Sequence, residues 1–214
     1  MKIVAKALTF SVLVISLPTH SFAASTECRD LVVNGNFEAG LFPWQNTSTG
    51  GCRIVLNPGF HDPAGPGSVV PPIEGRWDVL TEQGGAGTCT LKQRIVLPAN
   101  IVSATLSWKD RIRNYANEFS DPNQESRVMV CLDDGNGPQM VWSTDPGDTP
   151  QQMGPNLRSY DVTSMLQGKS TVDIRMDEQD SIFFLNMNWD EFSLVVCTGG
   201  GSTNGGSAGG KQEG

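Results

Sequence analysis

The chain has 214 residues, of which 15 are Lys or Arg and 23 are Asp or Glu, so its formal net charge is −8. This length fits one or two domains, and the acidic balance excludes the dense basic surface needed to bind a nucleic-acid backbone. The two histidines are His20 and His61. Because His20 falls in a predicted leader, mechanisms that need two histidines are excluded for the mature protein.

The N-terminus has the pattern of a secretory signal peptide. Lys2 and Lys6 precede the apolar stretch 7–17, and small residues around Ala23 form a cleavage site. The apolar stretch is shorter than the roughly 20 residues that cross a bilayer, and no later segment is longer. Residues 1–23 are therefore predicted to be a signal peptide. The mature protein is predicted to be secreted, periplasmic or at the cell surface, without a membrane span.

Residues 26–198 are predicted to form one β-rich domain. Runs of β-branched and aromatic residues alternate along it with turn clusters that contain Gly, Asn, Asp and Pro. A single helical turn is predicted at 162–166. The predicted strands are 31–33, 52–56, 76–80, 89–97, 102–112, 127–132, 139–143, 171–176, 182–185 and 191–197.

Alternation of apolar and polar residues gives several of these strands two different faces. Segments 103–113 and 171–177 both show this period of two. Short antiparallel strands with one apolar face each pack as two sheets, so the sequence predicts an all-β, two-sheet antiparallel β-sandwich. In 103–113 the apolar face consists of Ala104, Leu106, Trp108 and Ile112, and the opposite face of Ser107, Lys109, Arg111 and Arg113.

The C-terminal residues, 199–214, consist mainly of glycine and small polar residues. A segment of this composition cannot bury enough apolar surface to offset the entropy lost when it becomes ordered. The sequence therefore predicts a flexible Gly/Ser-rich tail after the sandwich.

All five cysteines lie in the predicted mature protein, where an oxidising environment favours disulfides. No C-x-x-C pair is present, which argues against a zinc site. Several pairings are possible, and Cys28–Cys197 is favoured because the two residues bracket the domain and would join neighbouring terminal strands. Cys52–Cys89 is the next choice. Cys131, in an apolar run, is then expected to be a buried free thiol.

Four segments together resemble the galactose-binding-like jelly-roll family, which includes carbohydrate-binding modules of secreted glycanases. Residues 31–38 (LVVNGNFE), followed by Trp44, are similar to its opening strand, and 188–194 (NWDEFSL) to its closing strand. Segments 104–108 and 160–166 match a central strand and a short turn. The resemblance implies a jelly roll and non-catalytic carbohydrate or matrix binding. The same fold also occurs in adhesins, protease appendages and lyases, so function must be argued from the site.

The resemblance also implies a structural calcium ion where the first and last strands meet. The positions that match the family's ligands are Glu38 and Asp190, with Asn36 and nearby carbonyls as further ligands. Calcium prefers six to eight oxygen ligands of these types. The alternative interpretation is that both acids are ordinary strand-end residues facing water. The run 133–137 (DDGNG) is interpreted as a hairpin turn, because it lacks the acidic spacing of a calcium loop.

A basic stripe is the predicted ligand surface. Lys109, Arg111 and Arg113 recur with a period of two, and Tyr115 and Glu118 follow them. Arginine captures carboxylates through two parallel hydrogen bonds, and ligand sites combine aromatic side chains with a few polar groups. The stripe is therefore expected to bind a polysaccharide or cell-surface glycan, including an acidic one.

The stripe also has a purely structural interpretation. Its three basic residues could form cross-strand ion pairs with Asp173, Asp177 and Glu178. In that case the stripe would stabilise the sandwich and would not contact a ligand.

Catalysis has less support in the sequence than binding. No G-x-S-x-G motif is present, although Asp110 and Glu118 are a candidate carboxylate pair and Tyr115 is a candidate lyase base. The leading prediction is a secreted, non-catalytic binding domain stabilised by calcium and disulfides. The alternatives are a structural surface or biofilm protein that makes protein contacts, and a small polysaccharide-degrading lyase or glycosidase.

Overall fold

A computed structural model describes residues 25–63, 65–119, 126–181 and 184–200, without the side chains of 126–128. The predicted signal peptide and most of the predicted tail lie outside the described residues. Gly199, the first residue of the predicted tail, is instead the last residue of a strand. Within the described ranges, no helix is long and apolar enough to cross a membrane.

Nearly all of the described chain is β-structure, which confirms the predicted fold class. The short helix falls where the helical turn is predicted, and every strand pairing in the sheets is antiparallel. The elements are β1 (Thr26–Asp30), β2 (Gln45–Asn46), β3 (Thr49–Asn57), β4 (Asp78–Val96), β5 (Ile101–Asn114), β6 (Ser126–Asp133), β7 (Pro138–Ser143), β8 (Gln151–Asp161), α1 (Thr163–Leu166), β9 (Thr171–Asp180) and β10 (Leu185–Gly199).

Strand β4 belongs to both layers of the sandwich. Its first half pairs with β3 and β10, and its second half pairs with β9 and β2. Gly84, Gly85 and Gly87 lie between the halves, where glycine permits a strand to bend from one sheet into the other. The first sheet has the order β3-β4-β10-β5-β8, with β1 beside β10, and the second has the order β4-β9-β6-β7.

Aromatic contacts show that the two sheets face each other. The rings of Trp108 on β5 and Trp142 on β7 lie 6.0 Å apart, although these strands are far apart along the hydrogen-bonded path. Trp108 also stacks on Phe192 and Tyr160 at 5.8 and 5.6 Å. The predicted apolar face of 103–113 is buried in this core, as the alternation indicates.

Both expected disulfides are present. Cys28 and Cys197 lie directly opposite each other on β1 and β10, and Cys52–Cys89 joins β3 to β4. Cys131 is a buried cysteine on β6 that belongs to neither disulfide. The first disulfide closes the chain over a sequence separation of 169 residues, which strongly restricts the unfolded ensemble.

Some predicted boundaries are wrong. Residues 31–33 are not a strand, because the backbone N–H and C=O of Val33 bond to the side chain of Gln93 instead of a neighbouring strand. The separate strands 76–80 and 89–97 are parts of one strand, β4. Strand β8 was not predicted, because its sequence includes Gly154 and Pro155 and has few β-branched residues; proline is tolerated there because β8 is an edge strand. Residues 182–183 of the predicted strand 182–185 lie outside the described part.

Candidate functional site

The outer side of the first sheet is polar. Residues directly opposite each other on paired strands share a face, and the register places Lys109, Arg111 and Arg113 opposite β10 residues on this side. The neighbouring positions of β4 continue the same face. We call this surface the polar face; its residues are Asp78, Glu82, Lys109, Arg111, Arg113, Asn186, Asn188 and Asp190.

The β3–β4 loop, residues 58–77, covers much of the polar face. Arg113 Nη1 donates to the carbonyl of Ser68 at 2.8 Å, and Arg111 Nη1 donates to that of Pro71 at 3.0 Å. Arg111 and Arg113 are only 7% and 1% exposed. The basic stripe therefore has the expected orientation, but it does not line an open groove. Alternation shows which face a side chain occupies, whereas a distant loop determines whether that face is covered.

The alternative cross-strand ion pairs are also not formed. Asp173 accepts hydrogen bonds from Arg94, and Asp177 accepts one from Arg175. These acids lie on β9, which pairs with β4 and β6, whereas β5 pairs with β10 and β8. The topology therefore separates Asp173 and Asp177 from Arg111 and Arg113. Glu178, the third acid of this alternative, accepts a hydrogen bond from the Thr81 hydroxyl, and the Arg113 charge acts on it without direct contact.

Asp78 is the buried acid of the polar face. Its carboxylate accepts bonds from Asn57 and Asn188 and from the N–H of Ile73, at 2.9–3.0 Å. Asn188 also accepts a bond from Arg113 Nη2 at 3.0 Å, so an amide links the guanidinium to the carboxylate. Burial raises the pKa of Asp78 to about 6, against the opposing effect of these hydrogen bonds and of the Arg111 charge.

Tyr115 and Glu118 have different surroundings. Tyr115 follows β5, and a Cβ atom added to Gly67 would lie 2.9 Å from the Tyr115 hydroxyl, so this hydroxyl lies against the β3–β4 loop. Glu118 is exposed, and its carbonyl accepts a bond from Asn114. Asp110 is fully buried and binds Arg158 at 2.9 Å. Asp110 and Glu118 thus do not form a solvent-accessible carboxylate pair.

The predicted calcium ligands Glu38 and Asp190 meet at one short segment of the loop. Glu38 Oε1 accepts the N–H groups of Arg76 and Trp77 at 2.7 and 3.0 Å, and Asp190 Oδ2 accepts that of Glu74 at 2.9 Å. Burial raises the pKa of Asp190 to about 7, and the N–H bonds that it accepts oppose this shift.

The chemistry of these donors fits calcium, but their number does not complete its shell. Asn36 Oδ1, the third predicted ligand, accepts the backbone N–H of Glu38 at 3.4 Å, a local contact that does not involve the Glu38 or Asp190 carboxylate. The described part of the chain contains no group of three or more His, Cys, Asp or Glu residues that could hold a metal. An ion at Glu38 and Asp190 would therefore need backbone carbonyls for most of its six to eight ligands.

An open cleft lies at the end of the same loop. It has a volume of about 330 Å³ and is lined by Pro58, Phe60, Pro72, Gly75, Arg76 and Trp77. Phe60 is 79% exposed, Trp77 is half-buried and Arg76 is exposed. An aromatic ring offers a flat apolar surface to a ligand, and a guanidinium donates hydrogen bonds to its hydroxyl or carboxylate oxygens.

Sequence reasoning missed this cleft. Phe60 lies in a segment without apolar periodicity. Trp77 was placed in the predicted strand 76–80, and most tryptophans were expected in the core. The available signal was the presence of aromatic residues in a loop rich in Pro and Gly, where few side chains become buried.

Comparison with solved structures identifies the fold. A family 61 carbohydrate-binding module in complex with β-1,4-galactotriose matches with a TM-score of 0.50 and 14% identity, over 78% of this chain and 97% of the module. A family 16 carbohydrate-binding module matches with a TM-score of 0.43 and 15% identity, over 77% of this chain and 98% of the module. The CBM22-1 xylan-binding domain of Paenibacillus barcinonensis Xyn10C matches with a TM-score of 0.40 and 13% identity, over 82% of this chain and 97% of the domain.

Sequence comparison finds no matching family model and no matching curated protein. The resemblance noted in the sequence is nevertheless confirmed at the level of structure. The chain has a jelly-roll β-sandwich fold like that of carbohydrate-binding modules.

Proposed function

We propose that this protein is an extracellular, non-catalytic carbohydrate-binding domain whose ligand occupies the cleft between Phe60 and Trp77. The observation that carries the proposal is the cleft itself, which combines two accessible aromatic side chains with the guanidinium of Arg76. Sugars have apolar C–H faces and polar hydroxyls, and this combination is complementary to both. The jelly-roll fold and the two disulfides agree with the proposal.

The wall of the cleft is held in place by Glu38 and by two acids of the polar face, Asp78 and Asp190. Glu38 accepts the N–H groups of Arg76 and Trp77, Asp190 accepts that of Glu74, and Asp78 accepts that of Ile73. These bonds fix the backbone that carries the aromatic side chain, so little ordering is required when a ligand binds. We infer that calcium at Glu38 and Asp190 adds to this support.

Glycan binding by single variants tests the proposal. Wild-type protein is screened against neutral and acidic glycans, and the best ligand is then titrated against Trp77→Ala and Phe60→Ala. Each should weaken binding by about tenfold or more, since roughly 1.4 kcal/mol of lost contact corresponds to tenfold. Phe42→Ala is the matched control, because Phe42 is 85% exposed and does not line the cleft.

Two results would contradict the proposal. One is unchanged binding by stable Trp77→Ala and Phe60→Ala proteins; Trp77→Phe, which keeps an aromatic ring, distinguishes lost contact from lost folding. The other is release of reducing ends from a bound polysaccharide, which would favour the enzyme alternative.

A further inference from the structure

Two buried arginines on the polar face have no carboxylate in direct contact, although the charges of Asp78 and Glu178 act on them at longer range. Arg111 and Arg113 are 7% and 1% exposed, and no carboxylate among the described residues lies within 4.0 Å of either guanidinium. By contrast, Arg94 and Arg158 each bind a carboxylate, at 2.7 and 2.9 Å. A buried charge without a partner is unfavourable, so this pair requires an explanation.

Neutral oxygens occupy the donors of both arginines. Arg111 donates to the carbonyls of Pro71 and Met153, and Arg113 donates to that of Ser68 and to Asn188 Oδ1, at 2.8–3.1 Å. Arg113 Nε has no acceptor among the described residues. A guanidinium forms its best complement with a carboxylate, which accepts two parallel hydrogen bonds. The two guanidiniums therefore keep a positive charge and an N–H donor that an anion would engage and that these neutral oxygens do not.

The segment that supplies two of these carbonyls is held by hydrogen bonds from Asn57, Arg111 and Arg113 and has no fully buried side chain of its own. We call residues 65–72 the covering strip; every residue in it is exposed or half-buried. The strip approaches the sheet closely at Gly67, where an added Cβ would lie 2.9 Å from both Tyr115 Oη and Asn186 Nδ2. A segment with few buried apolar contacts opens at low free-energy cost.

We infer that Arg111 and Arg113 form a carboxylate subsite for an acidic polysaccharide, covered by residues 65–72 until the ligand displaces them. Before the ligand binds, the carbonyls of Ser68 and Pro71 occupy the positions that the carboxylate oxygens of the ligand would take. The inference rests on the proposed function and deepens it, because Pro72 lines the cleft while the adjacent Pro71 accepts from Arg111. A glycan in the cleft thus lies beside the strip, and a uronic acid is the sugar class that this subsite would take.

Matched polysaccharides test the charge requirement. Polygalacturonate, alginate and hyaluronan are each compared with their methyl ester, which keeps the backbone and removes the charge. We expect at least one acid to bind about tenfold or more tightly than its ester. Arg111→Lys and Arg113→Lys keep a positive charge but remove the planar fork, and should abolish the preference. Arg94→Lys, on the second sheet, is the control. Absence of a preference in all three pairs, or a preference that survives both variants, overturns the inference.

A second variant tests the covering strip without removing an arginine. Gly67→Val should push the strip away from Tyr115 and Asn186, and so increase the affinity for the acidic polysaccharide several-fold while leaving that for its ester unchanged. Unchanged or weaker binding of the acid by folded Gly67→Val protein contradicts the role of the strip.

The inference and the proposed function fail in different ways. In a Gly67→Val/Trp77→Ala protein, which lacks the Trp77 ring of the cleft, galacturonate should still raise the melting temperature and galactose should not. If neutral glycans bind through Trp77 without any preference for acids, the inference alone is wrong. If no polysaccharide binds but galacturonate still stabilises the double variant, the proposed function alone is wrong.

Discussion

The covered polar face and the open cleft are two regions shaped by one loop. Over the polar face, backbone carbonyls of residues 65–72 bond to buried arginines; at the cleft, the same loop exposes Phe60 and Trp77. Arg111 and Arg113 are buried while Phe60 is exposed and Trp77 is half-buried, the reverse of what hydropathy suggests for these side chains. The difference shows that access to a sheet face depends on the connection that crosses it.

The largest expected effect on stability and glycan binding together comes from the disulfide between the strands that carry the loop. The double variant Cys52→Ala/Cys89→Ala removes this disulfide, which links two residues with a sequence separation of 37. In the chain-entropy model this lowers the free energy of unfolding by about 4 kcal/mol, as measured by denaturant titration. Because β3 and β4 begin and end the loop, glycan binding should also weaken under conditions where the variant is folded.

The other disulfide provides the control. Cys28→Ala/Cys197→Ala removes a longer closure, with a separation of 169, and should cost about 5 kcal/mol. Since this disulfide does not contact the loop, cleft binding by the folded fraction should be unchanged. Equal loss of binding in both variants would show that the loop does not depend on its own disulfide.

A buried carboxyl beneath the polar face should make stability depend on pH. Burial, together with the charges of Asp180 and Glu82, raises the pKa of Glu178 to about 8, while the Thr81 hydroxyl bond and Arg113 oppose the shift. Folded protein thus holds a proton that unfolded protein releases above its ordinary pKa of 4.5. The contribution of protonated Glu178 to the free energy of unfolding is therefore fully present below about pH 4.5, and it is lost as pH rises through about 8.

The variant Glu178→Gln isolates this effect, because the amide has nearly the same shape but no proton to release. At pH 8–9 it should be more stable than wild type by a few kcal/mol, given about 1.4 kcal/mol per unit of pKa shift. The gain should shrink toward pH 5, as measured by thermal melts across this range. A gain that is independent of pH would show that Glu178 does not titrate in this window.

Calcium should act at the boundary between the two regions, where Glu38 and Asp190 hold segment 74–77. If the ion binds there, chelation lowers the melting temperature of wild type but not of Glu38→Ala or Asp190→Ala. Calcium at one hundred times its dissociation constant stabilises the protein by about 2.7 kcal/mol.

The affinity for calcium should increase as pH rises through about 7, the pKa to which burial raises Asp190, because the coordinating carboxylate must be deprotonated. Elemental analysis without calcium, and a melt indifferent to chelator, would contradict the prediction.

The sequence predicts the sandwich well where side chains alternate. Residues 103–113 identify both the core side and the polar side of β5, because a period of two is imposed by strand geometry. Strand β8 was missed because it lies at a sheet edge, where burial imposes a weaker pattern. The continuity of β4 was missed because its central glycines look like a turn, although here they bend a single strand.

The site is less predictable from sequence than the fold. The orientation of Arg111 and Arg113 follows from local alternation, but their burial depends on Ser68 and Pro71, about forty residues away in the chain. Likewise, no local pattern places Phe60 beside Trp77. Such contacts depend on the path of a loop, which follows from a few carbonyl and N–H bonds and not from periodicity.

The smallest expected effect concerns Lys109, the one basic residue of the stripe that has an acidic partner. Its Nζ bonds to Glu74, and the two side chains are 26% and 49% exposed. Partly solvated pairs of this kind contribute about 0.2–1 kcal/mol and weaken as salt increases. Lys109→Gln should therefore lower stability by less than about 1 kcal/mol, with a smaller effect at high salt.

The same variant separates the two regions by their effect on binding. If ligand contacts are confined to the cleft and the Arg111–Arg113 subsite, Lys109→Gln leaves glycan affinity unchanged. Lys92→Gln is the matched control, because Lys92 lies 3.8 Å from Asp173 and its side chain has a similar exposure of 30%. Isothermal titration of both variants with the best glycan gives the comparison. Weaker binding by Lys109→Gln alone would mean that the ligand contacts the whole basic stripe, and the covering strip would then have to open as far as Glu74.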